Sequence, residues 1–93
     1  MEYRIQEEDS FSDAVLKLGG ARRVDAALEI LMEPLSRRPY GFNAVDTGTN
    51  RFRYAVTKQI GNIPPLVVIF TVGDDDVVRL QHIEEADFPY GQV

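Results

Sequence analysis

The chain has 93 residues, of which 44% are apolar and 27% are charged, the balance of one soluble globular domain rather than of a disordered segment. It contains no cysteine and one histidine, which excludes a disulfide framework, Cys-based zinc sites and any site built from several imidazoles. A formal net charge of −5 argues against uniform attraction to nucleic acid, although residues 21–60 hold an excess of cations between two acidic flanks.

The ends and the apolar runs of the sequence bear on its location. Residues 1–10 are acidic and lack an apolar run, which is the opposite of a signal peptide. The longest apolar stretch, Leu66–Phe70, is far shorter than the ~20 residues that a membrane helix needs. We therefore expect a cytoplasmic protein that does not enter the membrane.

A short strand and a first helix are predicted at the N-terminus. Tyr3 and Ile5 alternate with polar neighbours, which is typical of a strand with one buried face. A helix of about two turns follows, with Asp9 or Ser10 as the expected N-cap. The glycine pair at 19–20 supplies the left-handed conformation that ends such a helix.

The second helix has the clearest periodicity and is predicted over Arg22–Leu35. Its apolar stripe consists of Val24, Ala27, Leu28, Leu31 and Leu35. Pro34 lacks a backbone donor, so we expect this helix to fray or to become 3₁₀ after Met32. The two helices form a hairpin with a shared apolar side.

Turn-forming residues fill Tyr40–Asn50, which predicts a loop of about ten residues. A strand follows in which apolar and cationic residues alternate. Its apolar members, expected in the core, are Phe52, Tyr54 and Val56. Arg51 and Arg53 are therefore expected on the opposite, open side.

Two further strands complete the prediction. Leu66–Val72 is apolar on both faces, as in a central strand, and a turn at 73–76 leads into Val77–Ile83. The alternation of Val78, Leu80 and His82 predicts that these three side chains face the core. Glu84–Val93 lacks periodicity and is predicted to be an irregular tail.

The predicted fold is α+β, with an N-terminal strand, a two-helix hairpin and then a three-stranded antiparallel meander. The helices are expected to cover one face of the sheet within a single domain, residues 1–93. The predicted core between the two layers contains Leu28, Leu31, Val68, Phe70 and Leu80.

This order of elements resembles the RelE/ParE toxin superfamily of bacterial toxin–antitoxin pairs. Leu66–Val72, the acidic turn and Val77–Leu80 look like the last hairpin of that family. The resemblance covers nearly the whole chain and implies a toxin-like protein with a cognate antitoxin as its partner. It also implies an activity against translation, by ribosome-dependent mRNA cleavage, or against another target such as DNA gyrase.

The chain departs from the cleaving members of the family at the end of the last strand. Many relatives have His-Arg there, whereas this chain has His82-Ile83 followed by Glu84 and Glu85. Two carboxylates would repel a phosphate where the family attracts one. This departure favours a gyrase-type inhibitor or a degenerate, non-toxic binding protein over the ribonuclease.

His82 and Tyr90 are the candidate catalytic residues for the ribonuclease alternative. An imidazole titrates near neutrality and suits proton transfer, but the predicted core position of His82 also fits a hydrogen-bonded structural histidine. Glu84 could serve as the partner acid. No acidic cluster has the ligand spacing of a known metal cage, and no cofactor is expected.

Arg51, Arg53, Lys58 and Arg79 are the candidate residues for binding RNA or a protein partner. Their guanidinium and ammonium groups could hold a phosphate or an acidic segment of an antitoxin. The alternative is a solvated cross-strand face in which Arg79 pairs with Glu84. The sequence leaves this choice open, together with the oligomeric state.

Overall fold

The described part of the chain has the predicted α+β composition, with one strand more than expected. The computed structural model describes residues 2–46 and 51–86. In chain order the elements are β1 (Arg4–Glu7), α1 (Asp9–Lys17), α2 (Ala21–Arg37), a 3₁₀ turn (Pro39–Gly41), β2 (Asn43–Asp46), β3 (Arg51–Val56), β4 (Leu66–Val72) and β5 (Val77–Glu85).

The strands form one five-stranded sheet in the order β1-β5-β4-β3-β2. β1, at one edge, runs parallel to β5. The helical hairpin then carries the chain across the sheet to β2 at the other edge. The other neighbouring strands are antiparallel. β4 lies at the centre, as its uninterrupted apolar sequence predicted.

Strand β2 corrects the predicted loop over Tyr40–Asn50. Asn43 pairs with Tyr54 and Val45 with Phe52, so the meander has four strands rather than three. Only two of the four residues in β2 are apolar, and turn formers flank them, so a local pattern could not reveal the strand. Residues 47–50 of the predicted loop lie outside the described residues.

The helices agree with the predicted periodicity but differ at their ends. The N-cap of α1 is Glu8 rather than Asp9 or Ser10, and Gly19 and Gly20 follow the helix with φ of 111° and 98°. α2 continues through Pro34 to Arg37, so the expected fraying after Met32 is wrong. The fully buried Leu35 holds this last turn against the core.

The core lies between the helices and one face of the sheet, and the predicted core residues are confirmed. Leu28, Leu31, Val68, Phe70 and Leu80 are all buried in one cluster. α1 packs chiefly against β5 and α2 against β1, and the shared core extends across β4 to Ala55 of β3. Strand β3 therefore lies at the margin of the helix layer.

The buried side of β3 is the reverse of the prediction. Ala55 is in the core, opposite the buried Val68 of β4. Strand alternation then directs Phe52, Tyr54 and Val56 to the sheet face without helices. At the margin of the helix layer, amphipathic alternation alone does not identify the covered side.

A β-bulge changes the orientation of the second half of β5. Ile69 pairs with His82 and Phe70 with Leu80, so Gln81 is an extra residue in β5. The bulge shifts the alternation, and Ile83 rather than His82 is buried in the core. The predicted core position of His82 is therefore wrong. Glu84 and Glu85 belong to β5 and not to an irregular tail, and residues 87–93 lie outside the described residues.

Candidate functional site

The sheet face opposite the helices, called here the open face, contains an apolar groove of about 500 Å³. The groove crosses four neighbouring strands, from the edge strand β2 to β5. Its lining residues are Val45, Phe52, Arg53, Tyr54, Val67, Ile69, Gln81 and His82. A volume of this size is in the range of ligand-binding clefts.

The groove exists because β3 and β4 both present apolar side chains to the open face. The registers place Tyr54 beside Ile69 and Val56 beside Val67, and both pairs lie on the same side of the sheet. Phe52 and Val45 continue this surface to the sheet edge. The sequence pattern that indicates this apolar surface is the presence of apolar residues on both faces of β4. The aromatic residues of β3, Phe52 and Tyr54, were predicted to lie in the core.

His82 lies at the β5 end of the groove, beside a carboxylate. Its Nε2 is 3.8 Å from Oε2 of Glu84, and the two side chains are 45% and 53% exposed. The imidazole is therefore accessible to a ligand in the groove, with the Glu84 carboxylate at its side. This position suits proton transfer better than the predicted core position did.

Gln81, the bulged residue, forms the second polar contact at this end. Its Nε2 donates to Oγ1 of Thr71 across the strands, at 3.1 Å. The hydroxyl of Ser10 in α1 donates to the carbonyl oxygen of Gln81. These two bonds fix the bulge and with it the orientation of His82.

Arg53 is among the residues that line the groove, but strand alternation places its side chain on the helix side of the sheet with that of Ala55, where its guanidinium has structural partners. Nη1 donates to the carbonyl oxygen of Phe42 at 2.8 Å and to that of Tyr40 at 3.2 Å. The guanidinium carbon lies 5.0 Å from the centre of the Tyr40 ring, in cation–π geometry. Arg53 thus fastens the 3₁₀ turn to β3 instead of pointing freely into solvent, contrary to prediction.

Arg79 pairs with Asp75 in the β4–β5 turn, and not with Glu84. Its two terminal nitrogens lie 2.7 and 3.2 Å from the two carboxylate oxygens. The hydrogen bonds from Arg79 hold the pKa of Asp75 below its ordinary value. A Cβ at Gly73 would collide with both side chains, so glycine leaves room for this ion pair.

The remaining candidates do not gather around His82. Arg51 and Lys58 are exposed, and the alternation of β3 places Arg51 on the helix side of the sheet. Tyr90 lies outside the described residues. Of the predicted site residues, the structure brings only Arg53 and His82 to the groove within residues 2–46 and 51–86.

Two classes of site find no support in the described residues. No group of three or more His, Asp or Glu side chains among them is arranged to hold a metal ion. No helix in the described part of the chain is long and apolar enough to cross a membrane.

Comparison with known proteins gave no match for this chain. No protein-family description, no curated protein and no solved structure matches the chain.

Proposed function

We propose that this protein is a toxin-like binding domain that holds a segment of a partner protein, a cognate antitoxin, in the groove of the open face. The order of strand, helical hairpin and antiparallel strands, which resembles that of the RelE/ParE superfamily, supports the class of protein. The groove itself supports binding as the activity.

The observation that carries the proposal is the apolar lining of the groove. Two aromatic and three aliphatic side chains form most of it, and they are only half-buried or exposed in the described structure, apart from the buried Val67. Contiguous apolar surface of this kind is characteristic of protein-binding sites. A protein segment with apolar anchors would remove this surface from water.

A polyanionic ligand fits the groove less well. Binding of RNA depends on cations that can contact phosphates. Arg53 is engaged by two carbonyl oxygens and Arg79 by Asp75, while Glu84 adds a negative charge beside His82. A protein partner is thus favoured over RNA.

One observation favours ribosome-dependent mRNA cleavage as a second candidate function. His82 is accessible on the open face, and Oε2 of Glu84 lies 3.8 Å from its Nε2. A base and an acid are two of the requirements for attack by a 2′-hydroxyl. The cation for the developing phosphate charge would have to come from Arg53 or from a shifted Arg79.

Co-expression with the product of the neighbouring gene tests the binding function. The two proteins are expected to elute together from a size-exclusion column at micromolar concentration. Clean separation of the two proteins under those conditions would contradict the proposal.

Expression of the protein alone, followed by mapping of mRNA 5′ ends, tests the second candidate. Cleavage predicts codon-positioned 5′ ends that disappear in His82→Ala. Growth arrest without such ends would indicate another target, such as DNA gyrase. The absence of arrest would leave a non-toxic binding protein.

A further inference from the structure

The two edges of the sheet differ in how they are protected from another strand. At the β1 edge, Arg4 and Glu7 are charged and exposed, and the backbone N–H of Tyr3 donates to the carbonyl oxygen of Ser36 in α2. Charged side chains and a covering helix are the usual means of preventing strand addition. The β1 edge is thus less open to a partner strand.

The β2 edge lacks this protection in its described side chains. Asn43, Ala44 and Val45 are uncharged and exposed, and β2 pairs with β3 on one side only. An edge strand carries outward N–H and C=O groups that can pair with another chain. Val45, 48% exposed, is one of the most exposed large apolar residues in the described structure.

The side chains around β2 define the partner, because the two faces of the edge differ. On the open face, Val45 and Phe52 offer an apolar surface. On the helix face, at the same parity as the buried Ala55, lie Arg53 and Arg51.

In the register Asp46 stands opposite Arg51, and Ala44 stands opposite Arg53. The partners of Arg53 are neutral carbonyl oxygens, so its positive charge remains on the helix face of this edge. In a strand added beside β2, every second side chain would therefore lie beside apolar residues, and the remaining side chains would lie beside cations.

We propose that the β2 edge binds an extended segment of another polypeptide in which apolar residues alternate with acidic ones. This surface goes beyond the groove, because it would act through backbone pairing whatever the groove binds. A second copy of the chain is a poorer occupant, since it would bring the cations of two β2 edges together.

A synthetic eight-residue peptide that alternates valine and glutamate is the probe, titrated into the ¹⁵N-labelled full chain. We expect protection of β2 amides from hydrogen exchange, and affinity about tenfold above that of an alternating valine–lysine peptide. Two N-methylated versions of the peptide, one methylated at the odd and one at the even positions, separate backbone pairing from simple charge attraction. Methylation in one of these two sets should abolish binding and in the other should not, because only alternate N–H groups face β2.

Matched variants locate the site. Val45→Lys should weaken binding of the valine–glutamate peptide, whereas Leu16→Lys, at an apolar position of α1 that is even more exposed, should leave it unchanged. Equal loss with both N-methylated sets, or no protection of β2 amides, would overturn the proposal. Dissociation of a dimer on addition of peptide would show that a second copy, and not a foreign segment, occupies the edge.

Discussion

Arg53 shows how one side chain can join two elements that the backbone alone leaves apart. Its guanidinium binds two carbonyl oxygens of the segment before β2 and stacks over Tyr40. A charged donor shared by two carbonyls is stronger than an ordinary hydrogen bond. The edge strand β2 therefore depends on Arg53 for its position.

Replacement of Arg53 with alanine should lower the free energy of unfolding by about 1 to 3 kcal/mol, because the carbonyl oxygens lose a charged donor. Arg51→Ala, at an exposed position of the same strand, should cost less than about 0.5 kcal/mol. Chemical denaturation of both variants measures the difference. Equal losses would show that the contacts of Arg53 contribute nothing to stability.

The ion pair of Asp75 with Arg79 should make stability depend on pH in the acidic range. The folded state lowers the pKa of Asp75 from its ordinary value of 3.8, so the pair stabilises the fold above that pH. This stabilisation is lost as the pH falls through the lower, folded-state pKa. The effect is small because both groups are exposed to solvent and are screened by salt.

Asp75→Asn should accordingly melt at a slightly lower temperature than the wild type at pH 7, and the gap should close below about pH 3.8. Asp74→Asn, at the exposed neighbouring position, is the control. Thermal melts across the range from pH 2 to pH 7 check the prediction. A gap that stays constant down to pH 2 would contradict it.

At the scale of elements, the different exposure of neighbouring residues shows which side of α2 is packed against the core. Leu31 is 7% exposed in the core, whereas Ile30 is 64% exposed on the outer side. Leu31→Ala should cost about 2 to 5 kcal/mol through lost burial and a residual cavity. Ile30→Ala should cost less than about 0.5 kcal/mol in the same denaturation experiment. Similar losses for both would show that the apolar stripe of α2 is not the packed side.

The sequence predicted those elements whose pattern reflects their own packing. The stripe of α2 is confirmed because that helix packs against the sheet along its whole apolar side, and β4 is confirmed because both of its faces are covered or apolar. Strand β2 and the bulge at Gln81 were not predicted, since both arise from pairing with a distant strand.

The candidate site was predicted in part for the same reason. His82 was identified from its chemistry, but its place on the open face depends on the bulge. Phe52 and Tyr54 were assigned to the core, because alternation alone cannot show which face of β3 the helices cover. Long-range packing thus decided which residues form the groove.

At the scale of the whole molecule, the candidate site and the core lie on opposite faces of one sheet. The helices bury one face, and the other presents apolar surface with polar groups at one end. The excess of cations in residues 21–60 does not gather on the open face, since strand alternation places both Arg51 and Arg53 on the helix side. This distribution favours a protein segment as the ligand of the groove.

The central claim is that the partner protein binds through the groove of the open face. Its most direct test is the affinity of the co-purified partner for Phe52→Ser, with Leu16→Ser on the outer side of α1 as the matched control, after circular dichroism shows that both variants fold. We predict a loss of about tenfold or more for Phe52→Ser and unchanged affinity for Leu16→Ser. Wild-type affinity in Phe52→Ser, or a loss confined to Leu16→Ser, would contradict the claim.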